Sequence, residues 1–191
     1  MKNLAKSKDL VVLSNAIIEA RLLTNFEANE FKLFLAGVSM IKKEDKEFTK
    51  YKIGTETLRK VLNIENKKWI YSAVKEIAKK MSLKSAIEIE DKKNKQWAAF
   101  FLFSSLSYKN GNLTIKFNED MKPFFLQLKK NFTKFQLSEF KKLRSKYSIR
   151  IYQLLKQYQN IGERTLEIQN LRTKLGIEPN ELKQFIELRR R

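Results

Sequence analysis

Residues 129–158 read KKNFTKFQLSEFKKLRSKYSIRIYQLLKQY, and their reading decides the architecture of the chain. The stretch opens on a paired base and an aromatic cluster, Lys129-Lys130-Asn131-Phe132-Thr133-Lys134-Phe135-Gln136-Leu137. It closes on an amphipathic helix whose apolar positions, Tyr147, Ile151, Leu154, Leu155 and Tyr158, recur at i, i+4, i+7, i+8 and i+11. Between Lys129 and Arg150 eight Lys or Arg stand against one acid, Glu139. Positive charge at that density, interleaved with aromatics and running into a helix, suits a track for a polyanion. On either side lie two halves that each read as a small helix-and-wing unit.

The order Pro123, Leu126, Leu128-Lys129, then Phe132 to Leu137, then Ser145-Lys146-Tyr147-Ser148-Ile149-Arg150-Ile151-Tyr152-Gln153-Leu154-Leu155 resembles the replication initiators of iteron-bearing, theta-replicating plasmids. The helix start Arg150-Ile151-Tyr152 is its most specific part, and the resemblance spans most of the chain. It implies two winged-helix domains joined at this motif. It also implies binding of double-stranded DNA at direct repeats of an origin, repression of the chain's own promoter by a homodimer, and a monomer that opens DNA. Host replication proteins, such as a helicase and the host initiator, are the implied partners.

Composition agrees with a folded nucleic-acid binder. The chain has 191 residues, 42% hydrophobic content and a net charge of +19, enough for one sizeable core or two small ones. A charge of that size and sign predicts attraction to nucleic acid or an anionic membrane. Fourteen Phe argue against a disordered basic tail. The chain contains neither cysteine nor histidine, which removes disulfides, His-based triads, Cys nucleophiles and zinc sites built on either residue. With five glycines in all, no phosphate-binding glycine loop has a place to form. No apolar run reaches bilayer length and no signal peptide opens the chain, so the expected location is the cytoplasm, away from membranes.

Outward towards the N-terminus, Leu10 to Leu13 is apolar and Ser14-Asn15 offers a cap for a short helix through Arg21. Thr24 with Glu27 fits a capping box for a helix to about Lys42, apolar nearly all round and therefore a core helix more readily than a dimer face. Phe48 to Ile53 alternates as a strand, Thr55 caps a helix to Leu62, and a second helix runs from about Lys67 to Leu83. That second helix carries an apolar stripe (Ile70, Ala73, Val74, Ile77, Ala78, Met81) and an opposite polar stripe of Lys68, Ser72, Lys75 and Lys79. Such a pair resembles a helix-turn-helix whose second helix approaches DNA. Strands at Ser85–Glu90, Gln96–Tyr108 and Asn112–Phe117 complete a winged helix, its wing tip at Asp91–Lys95 or at Asn110-Gly111, the latter a strong type I′ hairpin signal. Glu119-Asp120 caps a short helix with Pro123 in its first turn.

The expected first domain is therefore residues 1–130, folding on its own and supplying dimer and DNA-backbone contacts. Residues 131–191 then form the junction and the first part of a second winged helix. Here Gly162 stops the Tyr147–Tyr158 helix, Thr165–Ile168 forms a strand, Asn170 caps a helix to Leu175, and Gly176 ends it. Pro179-Asn180 starts a last helix with Leu182, Phe185 and Ile186 facing in. In the family this is the helix laid in the major groove, so the second domain is expected to be truncated within its recognition helix. The fold class is α+β.

The expected DNA contacts follow. Lys68, Lys75 and Lys79 on the first domain, and Lys129, Lys130, Lys134, Lys141, Lys142, Arg144, Lys146 and Arg150 along the junction, position the backbone. Lys183, Arg189, Arg190 and Arg191 belong to the recognition helix, where arginine pairs with guanine edges. Phe132, Phe135 and Phe140 are expected to pack the junction and not to stack on bases. No catalytic residue, cofactor or metal is expected. Two other readings compete: a winged-helix transcription regulator without origin function, and a metal-dependent nuclease built on Glu88, Glu90 and Asp91.

Overall fold

The computed structural model describes residues 10–20, 25–91, 94–178 and 180–181. Its first elements are β1 (Leu10–Ser14), α1 (Asn15–Glu19), α2 (Ala28–Val38), β2 (Tyr51–Gly54), α3 (Thr55–Leu62) and α4 (Ile70–Leu83). Next come β3 (Ala86–Asp91), β4 (Gln96–Phe101), β5 (Phe103–Lys109), β6 (Asn112–Phe117) and α5 (Lys122–Phe125). The chain then runs through β7 (Phe132–Gln136), α6 (Lys146–Lys156) and α7 (Ile168–Leu175), with 3₁₀ turns at Lys67–Trp69, Glu119–Met121 and Leu137–Lys142.

Helix α2 is the centre of the core. Every residue from Glu30 to Val38 is buried, and Phe34 meets Phe26, Phe103, Phe117 and Phe125 edge-on at 6.1–6.4 Å. A helix apolar on all sides must be enclosed on all sides, as expected. Its capping box, however, is Glu27–Glu30, one turn later than the expected Thr24–Glu27, and Thr24 lies outside the described residues. Glu30 decides this start. Its carboxylate is buried, yet it accepts from the Glu27 amide at 2.9 Å and from Lys84 Nζ at 2.9 Å, so helix start and α4 end share one satisfied acid. The helix also stops at Val38, short of Lys42, where Ser39 Oγ turns back to donate to the Ala36 carbonyl at 2.8 Å.

The winged helix forms as the pattern demands. Strands run in the order β2-β6-β5, all antiparallel, and Asn110 (φ 51°) and Gly111 (φ 75°) make the tight turn between β5 and β6. Helices α3 and α4 precede that hairpin, with Asn63 in the left-handed region ending α3. Of the two candidate wing tips, the Asn110-Gly111 turn therefore closes the three-stranded sheet. The Asp91–Lys95 end belongs to a separate ribbon, β3-β4, and its Lys92 and Lys93 lie outside the described residues.

The expected single strand Gln96–Tyr108 is broken at Leu102. This residue is fully buried; its amide donates to the Ser85 carbonyl at 2.9 Å and its carbonyl accepts from the Asn118 amide at 3.0 Å. The chain thus leaves one ladder and joins another, because each side of Leu102 has a different partner strand. Similarly, β2 begins at Tyr51, while Phe48 packs on Phe117 (5.4 Å between rings) ahead of the strand.

Beyond Lys130 the chain turns back on its own beginning. β7 pairs antiparallel with β1, from Leu10 opposite Gln136 to Ser14 opposite Phe132. Closing a first unit at Lys130 would leave β1 without its partner. Helix α6, capped by Ser145, then packs on α1, α2 and α7. Its buried face is Ile149, Arg150, Gln153 and Leu154, whereas Ile151 and Leu155 of the expected stripe are exposed. The helix is rotated because Arg150 finds backbone acceptors inside. The expected strand Thr165–Ile168 is not formed, since no described strand lies beside it to build a ladder. Instead α7 starts at Ile168 with Glu167 as its cap, Asn170 lies within it, and Gly176 (φ 67°) ends it as expected. The last helix, with Leu182, Phe185 and Ile186, falls outside the described residues.

Candidate nucleic-acid interface

The first basic surface stands on α4. Burial of Ile70, Val74, Ala78 and Met81 turns Lys75 and Lys79 to solvent, and the 3₁₀ turn before the helix exposes Lys68. Asn66 holds that turn by accepting from the Lys68 amide at 3.0 Å. Aromatic rings stand among these lysines, a feature the charge pattern did not reveal. Trp69 and Tyr71 are 65% and 53% exposed, the Tyr71 ring lies 5.5 Å from that of Tyr108, and Lys75 Nζ sits 5.8 Å from the Tyr71 centroid. Exposed rings beside cations suit an anionic polymer that also carries flat bases.

The second surface is the junction. Lys129, Lys130, Lys134, Lys141, Lys142 and Arg144 are all exposed. Alternation along β7 sends Lys134 outward and Phe135 inward, and the 3₁₀ turn Leu137–Lys142 lies on α2 and α3, bringing its terminal lysines to the border of the helix-turn-helix. Glu139 supports that turn: its carboxylate accepts from the Gln136 amide at 2.7 Å and from Lys156 Nζ at 3.4 Å. Burial pushes Glu139 up, but Tyr152, Gln136 and Lys156 outweigh it and hold the carboxyl below its usual range. As expected, Phe135 and Phe140 pack inward, clustered with Tyr152 at 5.3–6.1 Å between centroids. Phe132 is half-buried, with Lys134 Nζ 5.4 Å from its ring.

Two junction cations depart from the expected role. Lys146 is partly buried, pairs with Glu27 at 3.6 Å and lies 5.4 Å from the Tyr147 ring. Arg150 is fully buried and touches no solvent at all. Its guanidinium donates to the carbonyls of Ile18 (2.8 Å), Ala20 (3.1 Å) and Lys174 (3.1 Å) and to Gln153 Oε1 (3.1 Å). Burial pushes its pKa down to about 10, against the pull of Glu19, so it stays charged at neutral pH. A guanidinium so enclosed cannot meet a phosphate, and the backbone contact expected of Arg150 is corrected to a bolt between α1, α6 and α7. Around it, Arg164 donates to both oxygens of Glu19 at 2.8 and 3.0 Å, and Lys174 pairs with the same carboxylate.

Charge periodicity also missed Lys32. It sits amid the apolar residues of α2, 6% exposed, with Nζ donating to the Lys141 carbonyl at 3.3 Å. A lysine flanked by Phe31 and Leu33 in a mostly apolar helix was the available signal. Of the recognition-helix residues, Lys183, Arg189, Arg190 and Arg191 lie outside the described residues. Register sets Glu88 and Glu90 of β3 opposite Ala99 and Trp97. Among the described residues no group of three or more acids converges as a metal site would require, and no helix is long and apolar enough to cross a membrane.

Comparison with known proteins gives two findings. The family model described as Initiator Replication protein, WH1, matches residues 10–156. Among solved structures, the chain is similar to the Pi initiator protein, crystallised in complex with iteron DNA. The TM-score is 0.70 at 19% identity, over 90% of this chain and 74% of that one. No curated protein matches the chain.

Proposed function

The chain belongs to the initiator replication protein family, and from that premise we propose that it starts plasmid replication by binding direct repeats in double-stranded DNA at the origin. The observation that carries the DNA reading is a basic surface with no ion pair among the described residues: six exposed cations of the junction bordering a helix-turn-helix that exposes three more. The Pi initiator, similar in fold, was solved on iteron DNA, which supports the same class of ligand here. Lys68, Lys75, Lys79, Lys129, Lys130, Lys134, Lys141, Lys142 and Arg144 hold the phosphate backbone. Lys183, Arg189, Arg190 and Arg191 read bases from a second winged helix.

In this reading the two winged helices stand in tandem and meet in the junction after Lys130, where β7 ties the second to the start of the first. The described residues hold the front of the second, α6 and α7, and the residues assigned to its recognition helix lie outside them. The chain acts in the cytoplasm without catalysing a reaction. A homodimer represses its own promoter, and the monomer opens the origin and recruits host replication proteins.

The test is a titration of fluorescent duplexes, direct repeat against scrambled sequence, across 50–200 mM salt. Neutralising several phosphates should make affinity fall steeply, log K dropping by about 0.9 per contact for each decade of salt. The repeat should be preferred throughout. Affinity that is flat across this range would sink the reading.

A further inference from the structure

Lys32 has an environment that folding alone does not explain. It is a cation more than nine-tenths buried, and its Nζ carries three N–H donors of which the Lys141 carbonyl accepts one. Among the described residues it makes no ion pair. Burial lowers its pKa, and the positive charge of Arg144 lowers it further; no acid offsets either. Buried charges are normally paired, because removal from water is costly for a lone ion. The acids of α2 and of the 3₁₀ turn that carries Lys141 are engaged with other cations: Glu30 with Lys84 and Glu139 with Lys156. Lys141, whose carbonyl Lys32 touches, and Arg144, whose charge acts on Lys32, both have exposed side chains, and among the described residues no acid pairs with Lys32.

We propose that Lys32 and Arg144 form a seat for one phosphate group of the DNA backbone, with Lys141 and Lys142 at its rim. The proposal rests on the DNA-binding reading above and adds to it a defined anion site between α2 and the junction. A phosphate oxygen would take the donors of Lys32 that the Lys141 carbonyl leaves over, and the Arg144 fork would close on the same group. The arrangement gives register: Lys32 is held by packing within α2, so the phosphate it takes is fixed relative to that helix.

The test uses the full chain and the variants Lys32→Met, which keeps the length of the buried stem, and Arg144→Gln, whose side chain is exposed and leaves the core untouched. Lys32→Met should melt at or above the wild-type temperature, since it removes an unpaired buried charge. Its DNA affinity should fall with salt less steeply, by about 0.9 in the slope of log K against log salt, the loss of one phosphate. Arg144→Gln should lose a similar slope, and the double variant should lose no more than either single one. An unchanged slope in Lys32→Met overturns the proposal, whatever its melting temperature; if that variant does not fold, an unchanged slope in Arg144→Gln does so. Should the wild type bind no duplex at all, the broader reading fails, and inorganic phosphate then decides the seat. A higher melting temperature in phosphate than in chloride at equal ionic strength, lost in Lys32→Met, keeps it; equal melting temperatures remove it.

Discussion

At the scale of single residues, Arg150 and Lys32 show how one side-chain type serves opposite ends. Each is a cation inside the protein. Arg150 has four oxygen acceptors from three segments of chain, while Lys32 has one. The first is thereby structural, and its replacement should be felt in stability. Arg150→Lys keeps the charge but loses the planar fork that reaches Ile18, Ala20 and Lys174 together. Hydrogen bonds to charged groups are worth about 1.5–3 kcal/mol each, so the variant should lose roughly 3 kcal/mol of unfolding free energy in urea. Its DNA salt slope should match the wild type while it remains folded. Unaltered stability with weakened DNA binding would restore Arg150 to the phosphate track.

At the scale of elements, the wing turn is the place where one residue decides a sheet. Gly111 has φ +75°, and an added Cβ would come within 2.9 Å of Thr55 Oγ1, the hydroxyl that donates to the Gly111 carbonyl at 2.7 Å. Gly111→Ala should therefore cost about 1–2 kcal/mol for the left-handed backbone, and more through the displaced Thr55 bond. Thermal unfolding would measure this, and a variant as stable as the wild type would contradict it. Asn110-Gly111 was legible in the sequence because turn chemistry is local. So was the buried stripe of α4, because a helical period needs no knowledge of the partner. What could not be read was set by contacts far along the chain. Leu102 divides a strand because Ser85 and Asn118 hold it from either side. α6 is rotated because the carbonyls of Ile18 and Ala20, more than a hundred residues away, accept from Arg150. The site shows the same division: exposed lysines announce themselves by charge, but whether a basic residue faces solvent or a carbonyl depends on the tertiary fold.

At the scale of the whole molecule, the β1–β7 ladder changes what counts as a folding unit. The junction contributes Phe135, Leu137 and Phe140 to the same core as α2, and α6 adds Ile149 and Leu154, all 6% exposed or less. Burying a large apolar side chain contributes about 1.5–3 kcal/mol, and a domain's net stability is only about 5–15 kcal/mol. Removing five such residues together with a strand's hydrogen bonds therefore exceeds what residues 1–130 could retain. The chain cut after Lys130 should lack a cooperative urea transition, contrary to the self-sufficient first unit that the sequence suggests. The chain cut after Asn160, which keeps β7 and α6, should unfold cooperatively with a midpoint below that of the full chain, because Arg150 and Glu19 lose Lys174 and Arg164. The family match likewise runs on past Lys130, to residue 156, and so includes β7 and α6. Circular dichroism during urea titration of the two shortened chains decides the matter. A sharp transition in residues 1–130 at the full-length midpoint would show that the junction only leans on the first unit and does not complete it.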